Sequence, residues 1–290
     1  YYYYLIAIPN ISLTNPSNIT ELRFNSISTQ KLGGAIQSLD AFTNLEVFFI
    51  INHELTGSIP DISGNTVLRE LNCQKNQLTG SIPDLSSNTV LEKFNCFTNN
   101  LTGSIPDLSS NTLLERFNCY ENQLTGNIPV ISSNTDLTQF LCYDNNLTGS
   151  IPDISSNTSL EKFNCSINNL TGSIPDLSSN TALDRFKCHD NSLTGNIPDL
   201  SSNTNLIEFH CFNNNLTGYA GGSVSSTLLS FLAFDNILSS STVNSILAAF
   251  VAAGASGGTL ILGGSNAAPT GQGITDKLTL ISRGWTVETS

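Results

Sequence analysis

LEKFNCFTNNLTGSIPDLSSNTL, residues 91–113, is one copy of a unit that recurs at an interval of 23 residues. Its most constant part, LTGSIP, starts at residues 55, 78, 101, 147 and 170, with LTGNIP at 124 and 193. The same period places Leu22, Leu45, Leu68, Leu91, Leu114, Leu137, Leu160, Leu183, Leu206 and Leu229 in one column, about ten turns in register. Within the unit the apolar positions are Leu91, Phe94, Cys96, Leu101, Ile105 and Leu108, a spacing that fits neither one long helix nor a hairpin. The alternation at Phe94 and Cys96 predicts a short strand, and Asn99 and Gly103 are turn signals. A unit this short cannot bury its own apolar set, so it must stack on copies of itself, each strand pairing in parallel with the next.

The pattern L-x-x-F-x-C-x-x-N-x-L-T-G-x-I-P resembles the leucine-rich repeat, with Cys in place of the third Leu, over roughly residues 19–240. The resemblance implies an α/β solenoid with a parallel sheet on its concave face and the Pro-Asp-Leu-Ser segment on its convex side. The expected organisation is an N-terminal segment or cap (1–21), the solenoid (22–238) and a small α/β C-terminal cap (239–290). In that last part Ser240 or Ser241 is expected to cap a helix running to about Ala253, with Gly257 and Gly258 breaking it. A strand over 259–262, a second helix over 274–281 and a closing strand over 285–288 follow. The GGSNAAP and RGWTV stretches resemble the terminal domain of some bacterial surface and tailed-phage structural proteins, which implies an extracellular or virion-surface location.

Two columns read as structural. Asn76, Asn99, Asn122, Asn145, Asn168, Asn191 and Asn214 fall where the backbone turns inward and loses ladder partners, which a buried side-chain amide supplies rung after rung. His53 takes the Asn place in an early repeat and suggests a looser or capped first turn. Cys73, Cys96, Cys119, Cys142, Cys165, Cys188 and Cys211 are odd in number and share one core-facing column. Stacked side chains pointing the same way rarely meet disulfide torsions, so these read as free structural thiols.

The columns that vary are the functional candidates. Two residues after the leading Leu stand Glu70, Lys93, Arg116, Gln139, Lys162, Arg185 and Glu208. Beside them run Asn72, Asn95, Asn118, Leu141, Asn164, Lys187 and His210, then Gln74, Phe97, Tyr120, Tyr143, Ser166, His189 and Phe212. By strand alternation all three face away from the core. Aromatic, amide and cationic side chains clustered on a rigid surface are what recognition patches are made of. Lys93, Arg116, Lys162, Arg185, Asn95, Asn118, Phe97, Tyr120, Tyr143, His189, His210 and Phe212 are therefore the candidate binding set. The competing reading is that they serve solubility and cross-strand pairing.

A threonine column (Thr79, Thr102, Thr125, Thr148, Thr171, Thr194) resembles the arrays of ice-binding proteins, or simply faces solvent. An aspartate column (Asp61, Asp84, Asp107, Asp153, Asp176, Asp199) either caps turns after Pro or holds Ca²⁺ between rungs. No other cofactor and no metal site is expected, and no His lies near a plausible Ser or Cys nucleophile together with an orienting acid, so an enzyme is not expected. The net charge of −12 argues against nucleic acid as a partner, and no apolar run is long enough for a membrane span. Eight Asn-x-Ser/Thr sequons, among them Asn10, Asn18, Asn100, Asn146 and Asn215, are what a composition rich in Asn, Ser and Thr yields. The expected function is a non-enzymatic recognition or adhesion module that binds a glycan or protein receptor. A spacer or decoration subunit packed on neighbours in an assembly is the alternative.

Overall fold

The computed structural model describes residues 15–25 and 31–290; most of the expected N-terminal cap and the Asn10 sequon lie outside the described residues. The chain divides into two compact units, residues 1–147 and 148–290. In the first, strands Glu21–Asn25, Val47–Ile51, Glu70–Asn72, Lys93–Asn95, Arg116–Asn118 and Gln139–Leu141 pair in parallel in chain order. In the second, Lys162–Asn164, Arg185–Lys187, Glu208–His210, Ser230–Leu232, Gly258–Ile261 and Trp285–Glu288 do the same. Each unit is a parallel-strand solenoid whose strands are joined by turns and irregular chain, except that helices join the last three strands of the second.

The 23-residue register does not hold to both ends. Glu21 faces Val47, a step of 26, so Leu22 stands opposite Phe48 and outside the leading-Leu column. Glu208 faces Ser230, a step of 22. There the segment GYAGGSVSSTL is one residue shorter than its predecessor, and Leu228 takes the core position while Leu229 is exposed.

The core is a stack of identical side chains. In the first unit the rings of Phe94, Phe117 and Phe140 lie 5.3 and 5.5 Å apart, nearly parallel. In the second, Phe163, Phe186, Phe209 and Phe231 stack at 5.5 to 5.6 Å. Each such pair contributes about 0.5–1.5 kcal/mol beyond its buried area. All seven cysteines are buried free thiols. Burial raises the pKa of Cys73, Cys96, Cys119, Cys165, Cys188 and Cys211, Cys73 to about 12, as for small inert hydrophobes.

The predicted Asn ladder is present, and its geometry explains its spacing. Asn99 donates from Nδ2 to the carbonyls of Cys73 (3.1 Å) and Cys96 (3.0 Å), and its Oδ1 accepts from the Leu78 N–H (3.0 Å). One side chain thus ties two rungs together. His53 does the same work with a ring: Nδ1 accepts from Leu32 N–H and Nε2–H donates to Phe24 O. The ring thus ties its turn to the rung before it, across a step of 26 residues rather than 23. A second ladder was not anticipated. Asn65, Asn88, Asn111, Asn134, Asn157, Asn180 and Asn203 are fully buried. Asn111 Nδ2, for example, donates to Leu85 O (3.0 Å) and Asn88 O (2.9 Å). Its signal was the Asn of SSNT, which keeps the same period amid solvent-facing serines.

In the second unit the last rungs are covered by helix α1 (Ser240–Ala253) and helix α2 (Gln272–Ser282). The cap of α1 is Ser239, whose Oγ accepts from Thr242 N–H, one position before the expected serines. Gly254, at φ 73°, ends it earlier than Gly257 and Gly258 would, because a left-handed C-cap suits glycine. Phe250 of α1 meets Phe231 and Trp285 edge-on, closing the aromatic core.

Candidate functional site

On the solvent side of the first unit's sheet the three variable columns separate in character. In the column expected to be a basic stripe, Lys93 is paired with Glu70 at 2.7 Å. Arg116 is exposed and forms no ion pair among the described residues. The amide column is not free either: Asn118 is buried and donates to Asn95 Oδ1 at 2.7 Å, because two planar amides on adjacent rungs pair with each other before they meet solvent. The aromatic column is the most distinctive. Phe97, Tyr120 and Tyr143 stack with centroids 4.2 and 4.3 Å apart at 12° and 11°. Their facing surfaces cover one another, so the rings present edges, half-buried, to solvent. Burial pushes both phenols upward in pKa, keeping the hydroxyls protonated donors.

The residue after each of these rings is left-handed, Thr98 (φ 54°), Glu121 (52°) and Asp144 (55°), and so are Lys75 (56°), which follows Gln74, and Asn52 (61°) on the two earlier rungs. The turn keeps the solenoid spacing, since Lys75 N–H donates to Phe97 O, Thr98 N–H to Tyr120 O and Glu121 N–H to Tyr143 O at 2.9 to 3.0 Å. Between this column and the ring edges runs a groove of about 580 Å³. Phe97, Tyr120 and Tyr143 line it together with Lys75, Thr98 and Glu121. Thr98 Oγ1 donates to Glu121 Oε2 at 2.7 Å.

The second unit carries a different version of the same columns. Lys187 and Arg185 both pair with Glu208, at 2.6 and 3.4 Å, so these cations are spent within the sheet. Lys162 forms no ion pair among the described residues. His189 stacks on Phe212 (4.2 Å), which stacks on Phe234 (4.4 Å), a ring the sequence reading missed because the 22-residue step shifts its column. His189 Nδ1 lies 2.8 Å from Asp190, yet burial still lowers its pKa. His210 is lowered to about 4, by burial first and Lys187 second, and is neutral at physiological pH.

His210 Nε2 is 2.8 Å from Ser230 Oγ. No carboxylate hydrogen-bonds its Nδ1 among the described residues, so the pair lacks the orienting third group of an activated serine. The aspartates cap turns: Asp84, Asp107 and Asp176 each accept the N–H two residues on at 2.9 Å. Among the described residues no cluster of three or more His, Cys, Asp or Glu forms a metal site. No helix of the described residues is long and apolar enough to cross a membrane.

No family model and no curated protein matches the chain. Solved structures do. A TDR receptor is 22% identical with a TM-score of 0.74 over 94% of this chain and 47% of its own. The ectodomain of the Arabidopsis receptor kinase HAESA, solved in complex with the peptide hormone IDA and the co-receptor SERK1, is 30% identical with a TM-score of 0.67 over 77% of this chain and 43% of its own. The chain has the leucine-rich repeat fold. A plant ice-binding protein shares the fold at 24% identity and a TM-score of 0.57, over 72% of this chain and 70% of its own. This leucine-rich repeat chain spans less than half the length of the two receptor structures.

Proposed function

We propose that the chain is a non-enzymatic recognition module that binds a polypeptide across the solvent face of its sheet, centred on Phe97, Tyr120 and Tyr143. The carrying observation is the stacked aromatic column: at 4.2 to 4.3 Å the rings have no free inner faces on which a sugar ring would lie. What they offer is a continuous row of electropositive ring edges and protonated phenols, which suits the carbonyl oxygens of an extended chain. The peptide-hormone complex of HAESA supports the same ligand class for this fold. The likeness of GGSNAAP and RGWTV to bacterial surface and tailed-phage domains extends the reading to display on such a surface.

The test is selection of random displayed peptides on the full chain, run beside a glycan array, for wild type and for a Phe97→Ala, Tyr120→Ala, Tyr143→Ala variant. Folding is checked by the resistance of the buried cysteines to a thiol reagent. Peptides enriched by wild type and lost by the folded variant support the reading. Glycan capture without peptide enrichment overturns it in favour of a lectin, and capture of neither leaves the spacer role.

A second reading rests on the threonine column. In the first unit Thr79, Thr102 and Thr125 each donate their hydroxyl to a Gly carbonyl one rung back at 3.3 to 3.4 Å, which locks the rotamer and leaves an ordered, exposed array. Ice binding by that face predicts thermal hysteresis that Thr102→Tyr abolishes; an unmodified freezing gap in the wild type ends this reading.

A further inference from the structure

We infer that the groove beside the aromatic column selects its peptide by charge order: an acidic side chain over Lys75 and a basic one over Glu121, about three residues apart. The inference rests on the proposal that the solvent face binds a polypeptide, and specifies which polypeptide.

The argument starts from the turn column. Its residues project outward from left-handed backbone, and in the first unit their charges are ordered rather than mixed. Lys75 stands toward the N-terminal end of the groove, and Lys31, whose Nζ donates to Asn52 at 2.7 Å, adds a second cation on that side. Thr98 is neutral. Glu121 follows, with exposed Asp144 one rung further on. Lys75 forms no ion pair among the described residues, and Glu121 spends one oxygen on the Thr98 hydroxyl and keeps the other.

The separation follows from the ladder. Rungs of a parallel sheet are about 4.8 Å apart, and Lys75 and Glu121 are two rungs apart, so their anchors lie roughly 10 Å from each other. They form no ion pair with each other among the described residues, so both remain available to a ligand. An extended peptide rises about 3.3 Å per residue, so side chains three positions apart match the pair. The ring edges of Phe97 and Tyr120 fill the stretch between the two charges and set the chain against the groove wall.

The experiment is a selection of random displayed dodecapeptides on the full wild-type chain and on the Lys75→Glu, Glu121→Lys double variant. Both substitutions are at exposed positions and keep the net charge, and the thiol-protection check applies to each. The expected result is that wild type enriches peptides with an acid and a base three residues apart. The swapped variant should enrich the reverse order in the same chain direction, and bind wild-type-selected peptides about tenfold more weakly, the effect of turning two exposed attractions into repulsions. Enrichment of peptides with no charge order, or of the same peptides by both proteins, overturns the inference and leaves polypeptide recognition standing. Enrichment by neither folded protein overturns polypeptide recognition itself.

Discussion

Asn99→Asp changes one atom, and the geometry sets both the sign and the pH dependence of its effect. In the wild type the Asn99 amide donates to Cys73 O and Cys96 O, while Oδ1 takes the Leu78 N–H. A carboxylate keeps the acceptor and points its second oxygen at two carbonyls. Burial and those carbonyls raise its pKa above the ordinary value near 3.9. With the native pKa raised, the native state holds the proton more tightly than the unfolded chain. Stability is therefore full below about pH 4 and is lost as pH rises through the native pKa.

At neutral pH the variant forfeits two side-chain bonds and gains repulsion, a cost of about 2–4 kcal/mol. Asn99→Ala costs a similar amount at every pH, because it orphans the Leu78 N–H. The Cys73 and Cys96 carbonyls keep their partners on neighbouring rungs, Asn76 and Asn122. Repeat solenoids open locally, so the assay is amide exchange at Leu78 rather than a global melt. Protection in the Asp variant that matches wild type at pH 7, or that falls as pH is lowered to 4 relative to wild type, would refute the carbonyl cradle around Nδ2.

His53 carries the opposite dependence. Burial lowers its pKa, and protonation would remove the Nδ1 acceptor of Leu32 N–H; its contribution is present above about pH 6.5 and is lost as pH falls. Exchange at Leu32 should rise on acidification in wild type, and less in His53→Asn, which keeps an acceptor that does not titrate. Phe117→Ala should destabilise by about 3–5 kcal/mol in denaturant unfolding, since a fully buried ring stacked on both sides is lost. Phe97→Ala, half-exposed, should cost much less. The seven thiols should react with a thiol reagent only in denaturant; reaction of Cys119 in the native protein would contradict its burial.

The solenoid was legible because its determinants repeat. One Phe or Asn in isolation is ambiguous, but Asn99 at the same place in seven units has only a structural explanation. What failed was whatever broke the period. Leu22 and Leu229 were placed by counting, and steps of 26 and 22 moved them out of the column. Phe234 was missed for the same reason. The surface was less legible, because alternation tells which way a side chain points and not what it meets there. Lys93 and Arg185 read as part of a basic stripe, yet parallel pairing sets Glu70 and Glu208 of the same column directly beside them, as the competing reading of cross-strand pairing had it. Nothing in the sequence distinguishes an aromatic that offers its face from one whose face is covered by the next rung.

The turn column holds a choice that folding alone does not explain. A non-glycine residue in the left-handed region costs about 1–2 kcal/mol, most for β-branched side chains. Glycine already fills such positions elsewhere in each unit, as at Gly80 and Gly103. A chain selected only for stability would place Gly or Asn in the turn at every rung. Instead the first unit places Lys75, Thr98 and Glu121 there, side chains that line the groove. Thr98→Gly should therefore be neutral or stabilising by about 1 kcal/mol, since relief of the left-handed threonine outweighs the unfolded-state entropy glycine adds and the exposed bond to Glu121. The same change frees the Glu121 carboxylate from its neighbour, so peptide selection should shift while the fold gains. Measured destabilisation beyond 1 kcal/mol would mean that threonine serves the turn itself, and the column's charge order would then have to be explained by the fold.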